Sequence, residues 1–264
     1  MSVLRRGNPM RTGSKMDRLK SLRNLFLRAG QRKRRDEVVA FSPQVPVPVC
    51  PECGGSGFTL LVVPFGHQDF GQAHPCRCVL KAVLERYLNH LPPLTFEGFE
   101  ANAVNCVAYG AALAMAEGRH ERPWLILAGQ PGVGKTHLAV AVLRVRAEAG
   151  QMGRFEVVPD MLAWLRAGIG QEISAEERLE SLKRCPLLVL DDLGKEKGTE
   201  WAEQIIYQLL DYRYRYRLDT VVTINGSLSA FPDAVRDRLL DNHLCRVVMI
   251  EGTSYRSGMS YGGK

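Results

Sequence analysis

Residues 129–136 read Gly-Gln-Pro-Gly-Val-Gly-Lys-Thr, a glycine-rich run that ends in a cation and a hydroxyl. Glycines let backbone N–H groups turn inward around a phosphate, and the start of a following helix adds a positive dipole end. An apolar strand candidate, Trp124 to Ala128, precedes the run, and a helix-forming segment, His137 to Ala149, follows it and stops at Gly150. Strand, loop and helix in this order predict a nucleotide phosphate site. Its candidate residues are Gly129, Gln130, Pro131, Gly132, Val133, Gly134, Lys135, Thr136 and His137.

Two of these residues have side chains suited to a nucleotide with its magnesium ion. Lys135 would neutralise the β and γ phosphates of ATP, and Thr136 would offer its hydroxyl to Mg²⁺. A second magnesium anchor is expected where the apolar strand Leu187 to Leu190 ends in Asp191 and Asp192, because α/β sheets bind ligands at the carboxyl ends of their strands. We therefore expect Asp191 to hold the metal and Asp192 to position the attacking water. The alternative is that the paired aspartates cap a turn.

Polar residues farther along the chain complete this candidate catalytic set. Asn225 follows an apolar strand and would hold the water or the γ-phosphate, although an ordinary turn asparagine is the alternative. Arg236 and Arg238 lie on a predicted helix, where an arginine would stabilise transition-state charge on the ATP of a neighbouring subunit. A surface arginine without such a role is the competing interpretation.

Four of the seven cysteines lie between residues 50 and 78, as Cys50-x2-Cys53 and, after a gap of 22 residues, Cys76-x-Cys78. Two such knuckles of soft ligands predict a tetrahedral Zn²⁺ site. The second pair is tighter than the usual spacing, so His67 or His74 could replace one of its cysteines. Cysteines without a metal in a small core are the remaining alternative.

From Leu94 onward, short apolar strands alternate with amphipathic helices, which is typical of an α/β fold with a parallel sheet. A Pro-rich stretch at 42–49 marks a boundary. We expect a basic tail over 1–41, a zinc-binding module with a linker helix over 42–93, and a nucleotide-binding domain over 94–264. The five predicted strands are Trp124–Ala128, Phe155–Val158, Leu187–Leu190, Val221–Ile224 and Arg246–Ile250.

The net charge of +7 is unevenly distributed along the chain. Residues 1–35 hold 12 Lys or Arg against one Asp, a net charge of +11, so the other 229 residues carry −4. Apolar residues from Met16 to Ala29 recur at helical spacing, which predicts a short amphipathic helix; a disordered basic extension is the alternative. The composition, 45% hydrophobic and 24% charged, excludes a wholly disordered chain. The charge distribution weakens any interpretation as a uniformly basic nucleic-acid binder.

The most apolar segment, Cys106 to Ala116, is much shorter than the roughly 18 to 20 residues of a membrane-spanning helix. No apolar signal segment follows Met1, and seven cysteines, an odd number, do not suit a disulfide framework. We therefore expect a protein of the reducing cytoplasm without membrane contact. The Arg-rich leader also resembles a mitochondrial transit peptide, which is the minor alternative.

Residues 212–217 read Tyr-Arg-Tyr-Arg-Tyr-Arg, a pattern that suits nucleic acid because aromatic rings stack on bases and arginines bind phosphates. Against this, Trp201, Ile205, Leu209, Tyr212 and Tyr216 share one helical stripe. The periodicity favours tyrosines that face the core and arginines that face solvent.

The segment from about Phe96 to Arg256 combines several further motifs, in this order: Thr95-Phe-Glu-Gly-Phe-Glu100, Gly134-Lys-Thr-His-Leu-Ala139, Leu190-Asp-Asp-Leu-Gly194, Trp201, Arg213-Tyr214, Thr223-Ile-Asn225, Arg238-Leu239 and Ser254-Tyr-Arg256. In this combination it resembles the bacterial helicase-loader and transposition-helper group of AAA+ ATPases, which includes DnaC, DnaI and IstB. The resemblance implies a P-loop fold with a five-stranded 51432 sheet and an extra helix within 161–184. It matches Asn225 to sensor 1 and Arg238 to the arginine finger. Only 26 residues follow Arg238, so no full C-terminal lid is expected, and Arg256 is the candidate substitute for a sensor 2 arginine.

The resemblance also implies a function. We expect an ATPase, weak alone and stimulated by DNA or a partner, that loads a hexameric replicative helicase onto single-stranded DNA as an ATP-dependent homo-oligomer. DnaI-like loaders carry a cysteine-rich N-terminal domain that contacts the helicase, whereas IstB helpers generally do not. The alternative is a transposition helper that binds duplex DNA and recruits a transposase. A zinc-dependent adaptor that binds nucleotide without turnover is a third possibility.

Overall fold

The computed structural model describes residues 50–60, 62–67, 70–170, 173–194, 199–252 and 254–255. The predicted amphipathic helix of the basic tail, the Pro-rich stretch and Arg256 lie outside these residues.

A small hairpin precedes the main sheet. Strand β1 (Phe58–Leu60) pairs antiparallel with β2 (Ala73–Pro75), and helix α1 (Arg77–Tyr87) follows directly. The backbone N–H of Cys76 donates to the Gly57 carbonyl at 2.9 Å, which extends the pairing toward the cysteines. The hairpin therefore brings the two predicted cysteine knuckles to the same end.

The main sheet has five parallel strands in the spatial order β4-β5-β6-β3-β7. If β3 to β7 are renumbered 1 to 5 and the sheet is read from the β7 edge, the order is 51432. The predicted α/β fold and topology are therefore confirmed. The strands are β3 (Trp124–Gly129), β4 (Gly153–Val157), β5 (Leu187–Leu193), β6 (Asp219–Asn225) and β7 (Cys245–Ile250).

Helices cover both faces of the sheet, and alternate residues of β3 face two separate cores. Leu125 and Leu127 pack with α1, α2 and α3, whereas Trp124, Ile126 and Ala128 pack with the helices from α4 to α7. The helices are α2 (Cys106–Ala116), α3 (Lys135–Glu148), α4 (Val158–Arg166), α5 (Ala175–Lys183), α6 (Glu200–Arg215) and α7 (Asp233–Leu240), with a 3-10 turn at Leu228–Ala230.

Helix α1 joins the cysteine hairpin to the body of the ATPase fold. Its Leu84 and Leu88 are buried in the core that it shares with α3. The Tyr87 hydroxyl donates to the Phe155 carbonyl at 2.5 Å, and Lys81 pairs with Glu148 of α3 at 2.9 Å. The hairpin is therefore anchored to the helix that begins at the phosphate loop.

The predicted orientation of α6 is confirmed for Leu209, which is buried, but is wrong for the last turn. Arg213 is fully buried, and Tyr216, which was expected in the core, is 63% exposed. The Arg213 guanidinium donates to the carbonyls of Leu182, Lys183, Cys185 and Asp219 and to the Thr220 hydroxyl, at 2.6 to 3.1 Å. Because its donors are satisfied, this cation can occupy the core, and the buried stripe includes Ala202, Ile206, Leu209 and Arg213.

Among the described residues, no helix is long and apolar enough to cross a membrane. The most apolar one, α2, has 11 residues.

Candidate functional site

The glycine-rich run lies between β3 and α3, at the carboxyl end of the sheet, as predicted. Gly132 and Gly134 have φ angles of +84° and +97°, in the left-handed region that glycine favours. A Cβ at Gly132 would lie 2.0 Å from the Ser254 Oγ, and one at Gly134 would lie 2.7 Å from the Phe99 ring. Both positions therefore require glycine for backbone conformation and for space.

Lys135 opens α3 and its side chain is buried against the loop. Its Nζ donates to the carbonyls of Gly129 at 2.9 Å and Gln130 at 2.8 Å. A buried ammonium next to a turn of inward-facing backbone favours an anion. The cation is thus placed where phosphate oxygens could replace these carbonyls as acceptors.

Thr136 and Asp191 meet across the gap between α3 and β5. The Thr136 Oγ1 donates to the Asp191 Oδ1 at 2.8 Å, and the Thr223 hydroxyl of β6 donates to the same oxygen at 2.7 Å. Burial raises the pKa of the Asp191 carboxyl, and the hydrogen bonds from Thr223 and Thr136 oppose that rise. A buried carboxylate beside two hydroxyl oxygens suits a hard divalent cation such as Mg²⁺.

Thr223 had no predicted role beyond its place in the Thr-x-Asn motif. Its hydroxyl donates to Asp191 and accepts the backbone N–H of Asp192 at 2.9 Å, so it fixes both acids. The signal in the sequence is its spacing, since it lies two residues before Asn225 and therefore on the same face of β6.

Asp192 lies at an irregularity in the pairing of β5 with β6, between Leu190 and Leu193. Its φ of +60° is uncommon for a residue with a side chain and costs on the order of 1–2 kcal/mol. In this conformation its carboxylate accepts a hydrogen bond from the Asn225 Nδ2. The structure thus brings Asp191, Asp192 and Asn225 together beside Thr136.

Two segments that sequence reasoning left without individual roles surround the loop. The His137 Nε2 donates to the Thr95 carbonyl at 2.7 Å, and the ring of Phe99 packs on His137 with centroids 5.2 Å apart. On the other side, the Tyr255 N–H donates to the Gly132 carbonyl at 3.1 Å. The Tyr255 hydroxyl accepts from Asn102 at 2.8 Å, which ties this segment to the residues before α2.

Arg238 does not join this group. Its guanidinium donates to Asp211 at 2.6 Å and to the Tyr207 hydroxyl at 3.0 Å, both on α6. Its carbonyl accepts from the thiol of Cys245, the first residue of β7. Cys245 pairs with Trp124 at the amino end of β3, and Gly129 is five residues farther along, a rise of about 17 Å. Arg238 therefore lies at the opposite end of the sheet from its own phosphate loop.

The four cysteine thiols form one cluster. All four Sγ atoms of Cys50, Cys53, Cys76 and Cys78 lie within 4.8 Å of one another, with Cys50–Cys76 at 3.8 Å and Cys53–Cys78 at 3.7 Å. Zinc with bonds of about 2.3 Å places tetrahedral sulfur ligands about 3.8 Å apart, so these residues fit zinc. In this described cluster no histidine contributes a ligand atom. A backbone N–H of Gly57 lowers the pKa of the Cys53 thiol to about 7.

Comparison with known proteins places this site in a family. A family model described as IstB-like ATP binding protein matches residues 105–261, more than half of the chain. A protein of Sinorhizobium fredii described as an insertion-sequence ATP-binding protein is 30% identical over 194 residues, which cover 67% of this chain and 63% of the relative. The replicative helicase loader DnaI of Bacillus subtilis is 34% identical over 104 residues, 39% of this chain and 33% of the loader.

Among solved structures, the crystal structure of the DnaC helicase loader is similar with a TM-score of 0.53 and 26% identity. The match covers 60% of this chain and 97% of that one. The chain spans less than two thirds of the length of the first curated relatives that it matches.

Proposed function

The chain belongs to the family of IstB-like ATP-binding proteins, P-loop ATPases of the AAA+ class, and from this premise we propose that it loads a hexameric replicative helicase onto single-stranded DNA. ATP binding drives the assembly of copies that hold the strand, and hydrolysis releases it. The chain acts in the cytoplasm.

The nucleotide site supports the ATPase part of this proposal. The backbone of 129–134 and Lys135 would bind the ATP phosphates, and Thr136 and Asp191, which are hydrogen-bonded at 2.8 Å, would hold Mg²⁺. When bound, Mg²⁺ neutralises charge on the β and γ phosphates. Asp192, oriented by Asn225, accepts a hydrogen bond from the attacking water.

The position of Arg238 is the observation that carries the proposal. Its carbonyl accepts from Cys245 at the amino end of the sheet, about 17 Å along β3 from the phosphate loop, so an arginine-finger role for Arg238 is directed at the site of another copy. A contact between the carboxyl end of one copy and the amino end of the next is head-to-tail, and such contacts generate rings or open helices. ATP bridging this contact would favour a spiral that winds around a strand.

The cysteine cluster favours a helicase loader over a transposition helper. We propose that Cys50, Cys53, Cys76 and Cys78 hold zinc and that this module, with the basic tail, contacts the helicase. Support comes from the resemblance to DnaI-like loaders, which have a cysteine-rich N-terminal domain. The packing of α1 on α3 gives the module a direct mechanical link to the nucleotide site.

A transposition helper is the second candidate. The matching family model and the insertion-sequence relative favour it. In that case the same ATP-driven assembly would hold duplex DNA and recruit a transposase.

Partner capture separates the two candidates. The full chain with ATP should retain the hexameric helicase of its host, and Lys135→Ala and Cys53→Ser should each lose it. Cys106→Ser is the matched control, because Cys106 is an exposed cysteine outside the cluster, and it should behave like wild type. Capture of a transposase with preferential binding of duplex DNA would instead establish the helper. Failure to capture either partner, with hydrolysis unaffected by DNA, would contradict both.

A further inference from the structure

The last turn of α6 presents two stacked tyrosines. The ring centroids of Tyr212 and Tyr216 are 4.5 Å apart with planes inclined by 34°, and Tyr216 is 63% exposed. Arg213, about a quarter turn away around the helix, is buried and bound to the carbonyls of Cys185 and Asp219, which fixes this orientation. A largely exposed ring that packs on a neighbouring ring contributes little to the core and offers a surface on which a base can stack.

Cations surround the tyrosine pair. Arg215 and Arg217 are exposed on either side of Tyr216. Lys183 and Arg184 lie against the same turn, since Arg213 binds the carbonyls of the neighbouring chain segment, and the Lys183 ammonium is 5.9 Å from the Tyr212 ring.

Two of the carboxylates near these cations each pair with two cations, so they do not neutralise all of the positive charge. Glu180 pairs with both Lys183 and Arg184, and Asp211 pairs with both Arg215 and Arg238. Asp241 also interacts with the charge of Arg217. The four cations still outnumber these three carboxylates, although residues 36–264 as a whole carry −4.

Arg217 occupies a position that favours glycine. Its φ is +51°, and the Leu218 N–H donates to the Arg213 carbonyl at 3.0 Å, as in a helix end closed by a left-handed residue. Glycine would adopt this conformation without the steric penalty of a side chain. An interaction of its side chain would explain an arginine here; within the molecule the charge of Arg217 acts on the Asp241 carboxylate, and a phosphate would be a further partner.

We propose that single-stranded nucleic acid binds this tyrosine–arginine face, defined by Tyr212, Tyr216, Arg215, Arg217, Lys183 and Arg184. Bases stack on the exposed tyrosine, and the arginines bind the phosphates on both sides, the combination that holds single strands without sequence preference. Strand binding by this face does not depend on the proposed function. Only its biological role rests on that function, in which the face is the surface that contacts the loaded strand.

The face and the nucleotide site lie at opposite ends of the sheet. Arg217 is two residues before β6, whereas Asn225 is at the end of that strand, about 20 Å away. One copy should therefore bind a strand without nucleotide, and ATP-driven assembly should increase the apparent affinity by aligning several faces.

Fluorescence anisotropy of labelled oligothymidine with the full chain, without nucleotide, tests the inference. Tyr216→Ala should weaken binding about tenfold, the loss expected for one stacked base. Arg217→Gly should weaken binding and reduce its salt dependence, yet raise the melting temperature, because strain is relieved as a phosphate contact is lost. A purely structural role for Arg217 cannot produce opposite changes in these two readouts.

Matched controls and outcomes keep this test separate from that of the proposed function. Phe65→Ala and Arg86→Ala, which change an exposed ring and an exposed cation elsewhere, should bind like wild type. Parallel titrations with oligouridine distinguish DNA from RNA as the preferred strand. Wild-type oligonucleotide affinity in both Tyr216→Ala and Arg217→Gly would overturn the inference. The same conclusion would follow if these variants lost helicase capture but still bound the oligonucleotide like wild type. If Tyr216→Ala weakens the strand but no helicase is captured by the wild type, the inference stands and the loader function fails.

Discussion

Asp191 is a residue whose pKa differs between the unfolded and folded states. Its carboxyl is buried and its pKa is raised, with burial as the main cause. An acid with a raised pKa in the folded state stabilises the fold only when protonated. That contribution is complete below the unfolded pKa of about 4 and is lost as pH rises through the folded value.

Asp191→Asn should therefore raise the melting temperature of the nucleotide-free protein at pH 7, while Mg²⁺-dependent hydrolysis is lost. The asparagine Oδ1 can still accept from Thr136 and Thr223, so packing is retained. Thermal denaturation from pH 4 to pH 8 measures the effect, which should shrink toward the acid end. A lower melting temperature at pH 7 would contradict the assignment of an ionised, buried carboxylate.

Arg213 should be among the polar residues that contribute most to stability. It satisfies four carbonyls and one hydroxyl, and burial lowers its pKa to about 10. Arg213→Met should cost about 3 kcal/mol or more, since several buried acceptors lose their partner. Urea denaturation measures this loss, with Arg215→Met as the exposed control, expected within about 0.5 kcal/mol of wild type. Equal effects of the two changes would refute the buried role.

Among the secondary-structure elements, the hairpin and α1 form a unit whose order depends on the cysteine cluster. The thiols at 3.7 and 3.8 Å close the hairpin directly before α1, which packs on α3. Removal of zinc should therefore lower the melting temperature of the full chain and slow ATP hydrolysis.

Metal analysis of the purified protein with and without chelator checks this expectation, with one zinc per chain as the predicted content. Cys53→Ser should lose the zinc and Cys106→Ser should keep it. A protein that holds no zinc, or whose melting temperature and hydrolysis do not change on chelation, would contradict the coupling.

Much of the fold at this scale follows from sequence pattern, because continuous apolar runs such as Leu187 to Leu190 are typical of strands buried on both faces. The five predicted strands match the observed ones to within two residues at nearly every end. The orientation of α6 could not be predicted from periodicity, since the hydrophobic pattern treats Arg213 as a surface residue. Only the carbonyls supplied by other segments make its burial possible.

In the candidate site, too, some features follow from the sequence pattern and others depend on contacts with distant segments. The positions of Lys135, Thr136, Asp191 and Asn225 follow from motif spacing, because parallel strands deliver their carboxyl ends to one edge. The left-handed backbone of Asp192 depends on Thr223 and on Asn225, which come from another strand, and local sequence does not specify it. For the cysteine site, the spacing left His67 and His74 as alternative ligands, and it is the clustering of the four thiols that favours an all-cysteine set.

On the scale of the whole molecule, the candidate functional residues lie at two opposite ends of the main sheet. The nucleotide loop, Asp191 and Asn225 lie at the carboxyl end of the sheet, and Arg238 and the tyrosine–arginine face lie toward the amino end. We propose that copies of this chain assemble head to tail, so that each active site is made from two copies and Arg238 acts on the ATP of its neighbour.

Mixing two inactive variants tests whether Arg238 acts on the ATP of a neighbouring copy. Lys135→Ala lacks a working phosphate loop but keeps Arg238, whereas Arg238→Ala keeps the loop. The control is Arg236→Ala, which should stay active, because among the described contacts the Arg236 side chain pairs only with Asp233. We predict that each of the first two variants hydrolyses almost no ATP alone. An equal mixture should recover activity at about a quarter of the interfaces, as random head-to-tail assembly requires. No recovery in the mixture, or full activity of Arg238→Ala alone, would contradict the account.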